Sequence, residues 1–306
     1  MEFIDQIRSF PEQIMSKEYF HIDRDFNNIV ISGMGGSGIV GRVFSELYEK
    51  CPVHVISDYS IPHYVDGKTM FIAISYSGNT EETLATVKQA KEKGAQIKVI
   101  TSGGELSRYG FETVEVPSGM QPRNALGYML APLLNSLMKI EHSEMDAASK
   151  ILNEIEKESS YLKQMAEDIC SRDLIPWIVG YDPYVSTAYR WKTQFNENGK
   201  ILAVNSTIPE LNHNETMPLK LSYGRDKFYF ISLGNPDIER TSKRLRVTSD
   251  LTGIEFHNVK EYGSTKLQKI LSMIHSGDYI SYYVAMLRGL DPMDVSLIEE
   301  LKRRLS

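Results

Sequence analysis

The sequence has few cysteines, no excess of positive charge and no long apolar run. Its two cysteines, Cys51 and Cys170, cannot form a disulfide framework or a zinc site built from paired Cys-x-x-Cys motifs. Its 34 Lys and Arg against 40 Asp and Glu give a formal net charge of −6, which argues against general nucleic-acid binding because such binding needs clustered cations. The N-terminus MEFIDQIRSF lacks the apolar core of a signal peptide, and the least polar helical stretch, 128–138, is shorter than the roughly 20 residues that span a bilayer. We therefore expect a cytoplasmic protein that binds neither nucleic acid nor membranes.

Three catalytic motifs are missing as well. The sequence contains no HExxH, no GxxxxGK[ST] and no GxSxG. These absences argue against a zinc protease, a nucleotide kinase and an α/β-hydrolase.

Short apolar segments alternate with helical patterns through most of the chain. The pattern predicts strands at 28–32, 53–57, 71–75, 97–101, 113–116, 175–180, 201–204, 228–233 and 254–258. It predicts helices up to about residue 25 and at 39–49, 80–93, 264–288 and 292–304, with a helical region over 122–172. This alternation is typical of an α/β protein with parallel sheets, and 306 residues favour two domains, which we place at 1–150 and 151–306.

A glycine-rich turn, Gly33–Gly38, follows the first predicted strand. Its glycines match G-x-G-x-x-G, and Asp58 ends the second strand twenty residues later, as in the dinucleotide-binding fingerprint. Spacing alone therefore favours a nicotinamide dehydrogenase. The same turn could bind other anions, since free N–H groups at a helix N-terminus attract any phosphate or carboxylate. A tight turn that binds no ligand is a third interpretation.

A second turn, Ser75-Tyr-Ser-Gly-Asn-Thr80, lies between a strand and a helix and is rich in hydroxyl groups. The hydroxyls of Ser75, Ser77 and Thr80 could each donate to a phosphate oxygen. Thr80 followed by two acids also matches a helix N-cap, which is the alternative role for this residue. Three hydroxyls in six residues favour a cradle for one phosphate monoester, which a dinucleotide fold does not need.

The two turns together resemble the sugar isomerase (SIS) domain, which binds phosphosugars. The similarity extends to the bifunctional phosphoglucose/phosphomannose isomerases of the phosphoglucose isomerase superfamily. It is carried further by PRNALG at 122–127, FNEN at 195–198, PELNHN at 209–214 and LKRR at 301–304, which occur in order across almost the whole chain. The resemblance implies two SIS domains of flavodoxin-like α/β/α form, a homodimer, and no metal or organic cofactor. The substrate-binding residues that it implies are Gly36, Ser37, Ser75, Ser77 and Thr80.

The resemblance also implies four catalytic residues. Glu197 would be the base, Arg123 would stabilise the intermediate, and His213 and Lys302 would help to open the sugar ring. The family brings its histidine from the neighbouring subunit. Each residue has an ordinary alternative in the sequence: Glu197 as an exposed helix-end carboxylate, Arg123 as one half of an ion pair, His213 as a solvated loop residue and Lys302 as part of a basic helix end.

The sequence therefore predicts reversible isomerisation of glucose 6-phosphate and mannose 6-phosphate to fructose 6-phosphate through a cis-enediol(ate). A non-catalytic phosphosugar-binding protein and a dehydrogenase that binds NAD remain as alternatives. An aminosugar-phosphate isomerase would share the two turns, but usually carries an amide-hydrolysing domain that has no counterpart here.

Overall fold

The computed structural model describes residues 1–221 and 224–305 and divides the chain into two compact units, Met1–Asn153 and Glu154–Ser306. Each unit contains its own parallel β-sheet with helices around it. No helix among the described residues is both long and apolar enough to cross a membrane.

The sheet of the first unit has five parallel strands in the order β2-β1-β3-β4-β5. The strands are β1 (Asn28–Ser32), β2 (Val53–Ile56), β3 (Thr69–Ile74), β4 (Gln96–Thr101) and β5 (Glu112–Glu115). Every residue of β3 and β4 is buried. Central strands of a parallel sheet are covered on both faces, which explains why the sequence of β3 is a nearly continuous apolar run. In β4 the buried residues include the polar Gln96, Lys98 and Thr101.

Six α-helices belong to the first unit. They are α1 (Phe3–Arg8), α2 (Phe10–Gln13), α3 (Gly35–Leu47), α4 (Glu81–Glu92), α5 (Leu126–Leu133) and α6 (His142–Ile155), the last ending just beyond the unit boundary. Single 3-10 turns form at Leu106–Arg108 and Pro122–Asn124, and α5 continues into a π-helical turn, Leu134–Met138. The single N-terminal helix expected up to about residue 25 is wrong, because helix ends at Gln13 and residues 16–27 contain neither helix nor strand.

The second unit has a four-stranded parallel sheet in the order β7-β6-β8-β9. Its strands are β6 (Ile175–Gly180), β7 (Val204–Thr207), β8 (Phe228–Leu233) and β9 (His257–Val259). The predicted bounds of β6 and β8 are confirmed, whereas the strand expected at 201–204 begins where it was expected to end. Leu202 is 79% exposed, so the apolar character of that segment does not reflect burial in a sheet.

Seven α-helices complete the second unit within the described residues. They are α7 (Ser160–Ser171), α8 (Val185–Glu197), α9 (Leu211–Asn214), α10 (Thr216–Leu221), α11 (Glu239–Thr252), α12 (Lys266–Leu287) and α13 (Ser296–Leu305). The long helix α12 starts with a capping box in which Thr265 and Gln268 satisfy each other's backbone N–H groups.

Candidate functional site

The first glycine-rich turn joins the end of β1 to α3, whose helical geometry begins at Gly35 rather than at residue 39 as expected. Ser37 therefore lies in the first turn of the helix and is buried. Its Oγ accepts a hydrogen bond from the backbone N–H of Tyr76 at 3.2 Å and lies 3.7 Å from the sulfur of Met129. This hydroxyl thus connects the first turn to the start of the second.

The second turn folds around the buried hydroxyl of Ser75. Its Oγ lies 2.8 Å from the Thr80 hydroxyl and accepts a hydrogen bond from the N–H of Gly78 at 3.1 Å. Gly78 has φ +67°, and a Cβ there would lie 1.8 Å from the carbonyl oxygen of Gly103, so only glycine fits. The Ser77 side chain is exposed at the tip of the turn.

Thr80 is the N-cap residue of α4, but its side chain makes no capping hydrogen bond. The interpretation of its hydroxyl as a helix cap is therefore wrong. The hydroxyl instead contacts Ser75 and belongs to the polar cluster of the turn. The N–H groups at the start of α4 thus donate no hydrogen bond to it.

Both turns lie at the carboxyl ends of neighbouring strands, β1 and β3. The strand order reverses direction between these two strands, because β2 lies on one side of β1 whereas β4 and β5 lie beyond β3. Open α/β sheets bind ligands at such a switch point. The N-termini of α3 and α4, of 13 and 12 residues, follow the two turns, so their dipoles favour an anion there.

Arg123 lies beside the first turn. Gly36 packs so closely against it that a Cβ on the glycine would be 2.8 Å from Cα of Arg123. The arginine is 3% exposed, its Nη1 donates to Oε1 of Gln121 at 3.0 Å, and its guanidinium lies 5.6 Å from the ring centre of Phe3. A buried and permanently charged group is therefore held next to the phosphate-binding candidates.

Two buried glutamines on the N-terminal helices support the turn that carries Arg123, and sequence reasoning missed them. Oε1 of Gln6 accepts from the N–H of Gln121 at 2.8 Å. Nε2 of Gln13 donates to the carbonyl of Asn124 at 2.8 Å, and its Oε1 accepts from the N–H of Gly127 at 3.1 Å. The signal in the sequence that could have identified them is their position on the apolar side of an amphipathic segment. In the structure both side chains are 0% exposed.

Glu197 is the last residue of α8, as the Asn-Gly sequence after it predicted. It is half-buried and lines a cavity of about 450 Å³ together with Asn196, Lys200 and residues 290–291 and 294–298. Nζ of Lys200 donates to the carbonyl oxygen of Glu197 at 2.5 Å and to that of Asp294 at 2.6 Å. Glu197 thus lines a concave surface, and the Lys200 ammonium group contacts its main-chain carbonyl.

A buried polar seam fixes α8 against α12. The Arg190 guanidinium donates to both carboxylate oxygens of Asp278 at 2.8 and 3.0 Å, and Nε2 of Gln194 donates to Oδ1 at 2.7 Å. One residue beyond Glu197, Nδ2 of Asn198 donates to the Ser281 hydroxyl at 3.0 Å. Because hydrogen bonds fix register in a way that apolar contacts do not, this seam determines where the end of α8 lies.

His213 and Lys302 are both exposed and lie on separate helices, α9 and α13. Within the described part of the second unit, no hydrogen bond or ion pair joins either of them to Glu197. Next to Lys302, Arg303 and Arg304 both pair with Glu300.

Two further features concern other classes of ligand, metal ions and dinucleotides. Within residues 1–221 and 224–305, no group of three or more His, Cys, Asp and Glu side chains is arranged to hold a metal ion. Asp58, the acid of the dinucleotide fingerprint, is exposed, and its Oδ1 accepts a hydrogen bond from the N–H of Tyr59 at 2.6 Å.

Family models match both units. Residues 24–138 match the SIS domain, and residues 158–305 match the bacterial phospho-glucose isomerase C-terminal SIS domain. Together with the strand order β2-β1-β3-β4-β5, which is that of flavodoxin-like folds, these matches confirm two SIS domains of α/β type with parallel sheets.

Similar curated proteins cover between two thirds and all of the chain. A bifunctional phosphoglucose/phosphomannose isomerase of Thermoplasma acidophilum is 47% identical over 306 residues, covering 100% of this chain and 98% of that protein. One from Aquifex aeolicus is 37% identical, with 92% and 91% covered. A D-glucosamine-6-phosphate 4-epimerase of Sulfolobus acidocaldarius is 35% identical, with 68% and 69% covered.

Solved structures share the fold at low identity. The C-terminal domain of a glucosamine-fructose-6-phosphate aminotransferase from Francisella tularensis superposes with a TM-score of 0.74 at 18% identity, covering 94% of this chain and 96% of that one. A glucosamine-6-phosphate deaminase from Thermotoga maritima gives a TM-score of 0.70 at 12% identity, with 95% and 96% covered.

Proposed function

Because the chain belongs to the family of bifunctional phosphoglucose/phosphomannose isomerases, we propose that it interconverts glucose 6-phosphate and mannose 6-phosphate with fructose 6-phosphate. The observation that carries this proposal is the 47% identity to such an isomerase over the whole length of the chain. The same family membership supports a role in glycolysis and gluconeogenesis in the cytoplasm.

The 6-phosphate binds at the switch point of the first sheet. Ser37, Ser75, Ser77 and Thr80 donate hydroxyl hydrogen bonds to its oxygens, and Gly36 lets the first turn approach closely. This role is supported by the hydrogen bond that joins the two turns, from the Tyr76 N–H to the Ser37 hydroxyl at 3.2 Å. It is also supported by the two helix N-termini, which favour a doubly charged anion without a metal ion.

Glu197 is the base that moves a proton between C2 and C1 through a cis-enediol(ate). Its place at a cavity wall supports this role. Glucose and mannose differ in configuration only at C2, so one base serves both sugars if the open chain can turn either face of the enediol towards it. Arg123 counters the charge that develops on oxygen, and its burial supports this role because an electrostatic contact strengthens where water is excluded.

His213 and Lys302 assist opening of the sugar ring before the proton transfer. A histidine can carry a proton near neutral pH, and a lysine can hold the departing ring oxygen. His213 acts in the neighbouring subunit of a homodimer. Its exposure on the short helix α9 leaves it available to a second chain.

The test offers fructose 6-phosphate to the protein in EDTA and measures glucose 6-phosphate and mannose 6-phosphate separately. We expect both products from the wild type, and phosphosugar binding without turnover from Glu197→Gln. Glu92→Gln is the control, since Glu92 is likewise the last residue of its helix, α4, but is exposed. Turnover retained by Glu197→Gln on either sugar would remove Glu197 as the base, and no product from the wild type would leave only phosphosugar binding.

A second candidate activity follows from the relative that acts as a D-glucosamine-6-phosphate 4-epimerase at 35% identity. It covers 68% of this chain, against full coverage by the isomerase, which makes it the weaker candidate. Incubation with glucosamine 6-phosphate and detection of the galactosamine isomer tests it directly.

A further inference from the structure

Helix α11 carries a basic face that the proposed isomerase reaction does not use. Arg240, Lys243 and Arg244 occupy positions i, i+3 and i+4, so their side chains share one side of the helix. This side borders a groove of about 360 Å³ between α11 and the pair α9–α10, whose polar lining is Asn212, Thr216, Arg240, Lys243, Arg244 and Thr248. The groove is large enough for a small metabolite.

The charges of this groove are all of one sign. No carboxylate lines it, and the described residues give neither Arg240 nor Lys243 an ion pair or hydrogen bond. Three like charges within two helical turns repel one another, while the chain as a whole carries a formal charge of −6. An anion that contacts all three relieves this repulsion.

The neutral polar groups in the groove are already oriented. Nδ2 of Asn212 donates to the Thr248 hydroxyl at 2.7 Å, while its Oδ1 accepts from Nη1 of Arg244 at 3.2 Å. The Thr216 hydroxyl donates to the carbonyl oxygen of Asn212 at 3.4 Å. Two guanidinium groups and one ammonium group, backed by hydroxyls, provide the donors that recognise phosphate oxygens.

We propose that this groove binds a small phosphate-bearing metabolite, in addition to the phosphosugar bound by the turns of the first unit. The cations recognise the phosphate, and the exposed Val247 and Leu251 at the groove contact the less polar part of the molecule. Nucleic acid does not fit this description, because the cations are confined to one face of one helix on an acidic chain.

The groove is connected to the segment that carries His213. Asn212 is the preceding residue, and Arg244 holds its side chain. An anion that draws Arg244 towards itself competes with Asn212 for the guanidinium and so alters the position of α9. Ligand binding is thus expected to modulate turnover, an effect that rests on the proposed isomerase function, whereas binding itself does not.

The binding experiment titrates pyrophosphate into the uniformly ¹⁵N-labelled full-length protein. Amide signals of 243–248 report on the groove, and those of 75–80 report on the turns of the first unit. In the wild type we expect saturable shifts at 243–248, and in the double variant Arg240→Ala/Lys243→Ala an affinity at this site lower by about tenfold or more. Lys220→Ala/Lys227→Ala is the charge-matched control, because both lysines are exposed and neither lines the groove.

The outcomes separate the two proposals. Shifts confined to 75–80, or groove shifts that persist at equal affinity in the double variant, would overturn the groove site whatever the activity. If the site exists, part of the inhibition of the wild type by pyrophosphate persists when the substrate concentration is raised. That part is absent from the double variant, whose basal turnover is unchanged. A protein without isomerase activity would still give the groove shifts.

Discussion

Gly36 shows how a single residue without a side chain can define a binding crevice. Its closest neighbours are the backbone atoms of Arg123, which a Cβ would approach to 2.8 Å at Cα and 2.9 Å at N. A side-chain contact could be relieved by rotation, but backbone atoms must move together with the turn to which they belong. The glycine therefore sets the distance between the first turn and the backbone that carries Arg123.

Replacement of this glycine by alanine is expected to impair both stability and activity. Gly36→Ala forces α3 and the Pro122–Asn124 turn apart, at a cost on the order of 1–3 kcal/mol for an overpacked site. Because the displaced group is Arg123, we expect kcat for isomerisation to fall further than the loss of folded protein explains. Steady-state kinetics at a temperature well below the unfolding midpoint measure this directly.

The control is Gly67→Ala. A Cβ at Gly67 would lie 3.6 Å from the nearest backbone oxygen, an ordinary contact, and its φ is not in the left-handed region. This variant should retain wild-type kinetics. If both alanine variants behaved alike, the close approach of Gly36 to Arg123 would not be what matters.

At the scale of the element, burial decided which sequence-based predictions were right. The bounds of β6 and β8 agree with the structure because their apolar runs are also the buried runs. The strand predicted at 201–204 was wrong because β7, Val204–Thr207, is mostly polar and only partly buried at the edge of the sheet. A hydrophobic pattern predicts which residues are buried. In the edge strand β7 most of the residues that pair with the neighbouring strand are polar, so the pattern did not locate this strand.

The candidate site shows the same limit. The two turns were visible in the sequence because their glycines and hydroxyls are local signals. The buried glutamines Gln6 and Gln13 were not, since their partners near Arg123 lie more than a hundred residues further along the chain. A hydrogen bond between two distant segments produces no periodic pattern in the sequence of either segment.

The polar seam between α8 and α12 makes a prediction about stability. Asp278→Ala leaves the Arg190 guanidinium, which is 1% exposed, without its carboxylate. Breaking a buried ion pair by removing one partner costs about 3–5 kcal/mol, because the remaining charge stays desolvated. Urea unfolding monitored by tryptophan fluorescence measures this loss of stability, since both tryptophans, Trp177 and Trp191, lie in the second unit.

Asp250→Ala serves as the comparison for this variant, because Asp250 is exposed on α11. Its unfolding midpoint should stay near that of the wild type. Asp278→Asn should fall between the two, as it keeps one hydrogen-bond acceptor oxygen but loses the other and the charge. Equal midpoints for Asp278→Ala and Asp250→Ala would show that the seam does not stabilise the second unit.

An ion cluster ties the N-terminal segment to the first sheet and predicts its acid stability. Burial opposes ionisation of Glu112, but hydrogen bonds from Nζ of Lys98 at 2.6 Å and from the backbone and ring of His21 at 2.8 Å hold its pKa at about 2. The ordinary value is 4.5, so the folded state holds the proton less tightly than the unfolded state does. The stabilisation is therefore complete above pH 4.5 and is lost as pH falls towards 2.

Glu112→Gln removes this titration. We expect the variant to be less stable than the wild type at pH 7, with the difference shrinking as pH falls from 4.5 to 2. Circular dichroism follows the acid transition, while tryptophan fluorescence reports separately on the second unit. Glu115→Gln, at an exposed position of the same strand, should show no such pH-dependent difference. A constant difference at all pH values would contradict the assignment to this carboxylate.

At the scale of the whole molecule, the two units use the same architecture for different purposes. The sheet order β7-β6-β8-β9 repeats the local order of β2-β1-β3-β4, but the turn after β8 lacks the three hydroxyls found after β3. Near this turn, the carboxylate of Glu261 accepts hydrogen bonds from the Tyr184 hydroxyl at 2.5 Å and from the N–H of Asn235 at 3.4 Å. A carboxylate of the chain itself thus lies beside the turn after β8, which supports assigning the substrate phosphate to the first unit.

The dependence of catalysis on a second chain follows from the proposed role of His213 and can be tested by mixing two inactive variants. If each active site combines Glu197 of one chain with His213 of the other, a dimer of one Glu197→Gln chain and one His213→Ala chain contains one intact site and one doubly defective site. Random exchange of subunits in an equal mixture should therefore restore about a quarter of the wild-type activity. If His213 acted within its own chain, every site would keep one defect and the mixture would stay inactive.

Unfolding and refolding the two variants together, with each refolded alone as control, distinguishes these cases by fructose 6-phosphate turnover. The recovered activity should also fall on dilution, because a site shared between chains is lost when the dimer dissociates.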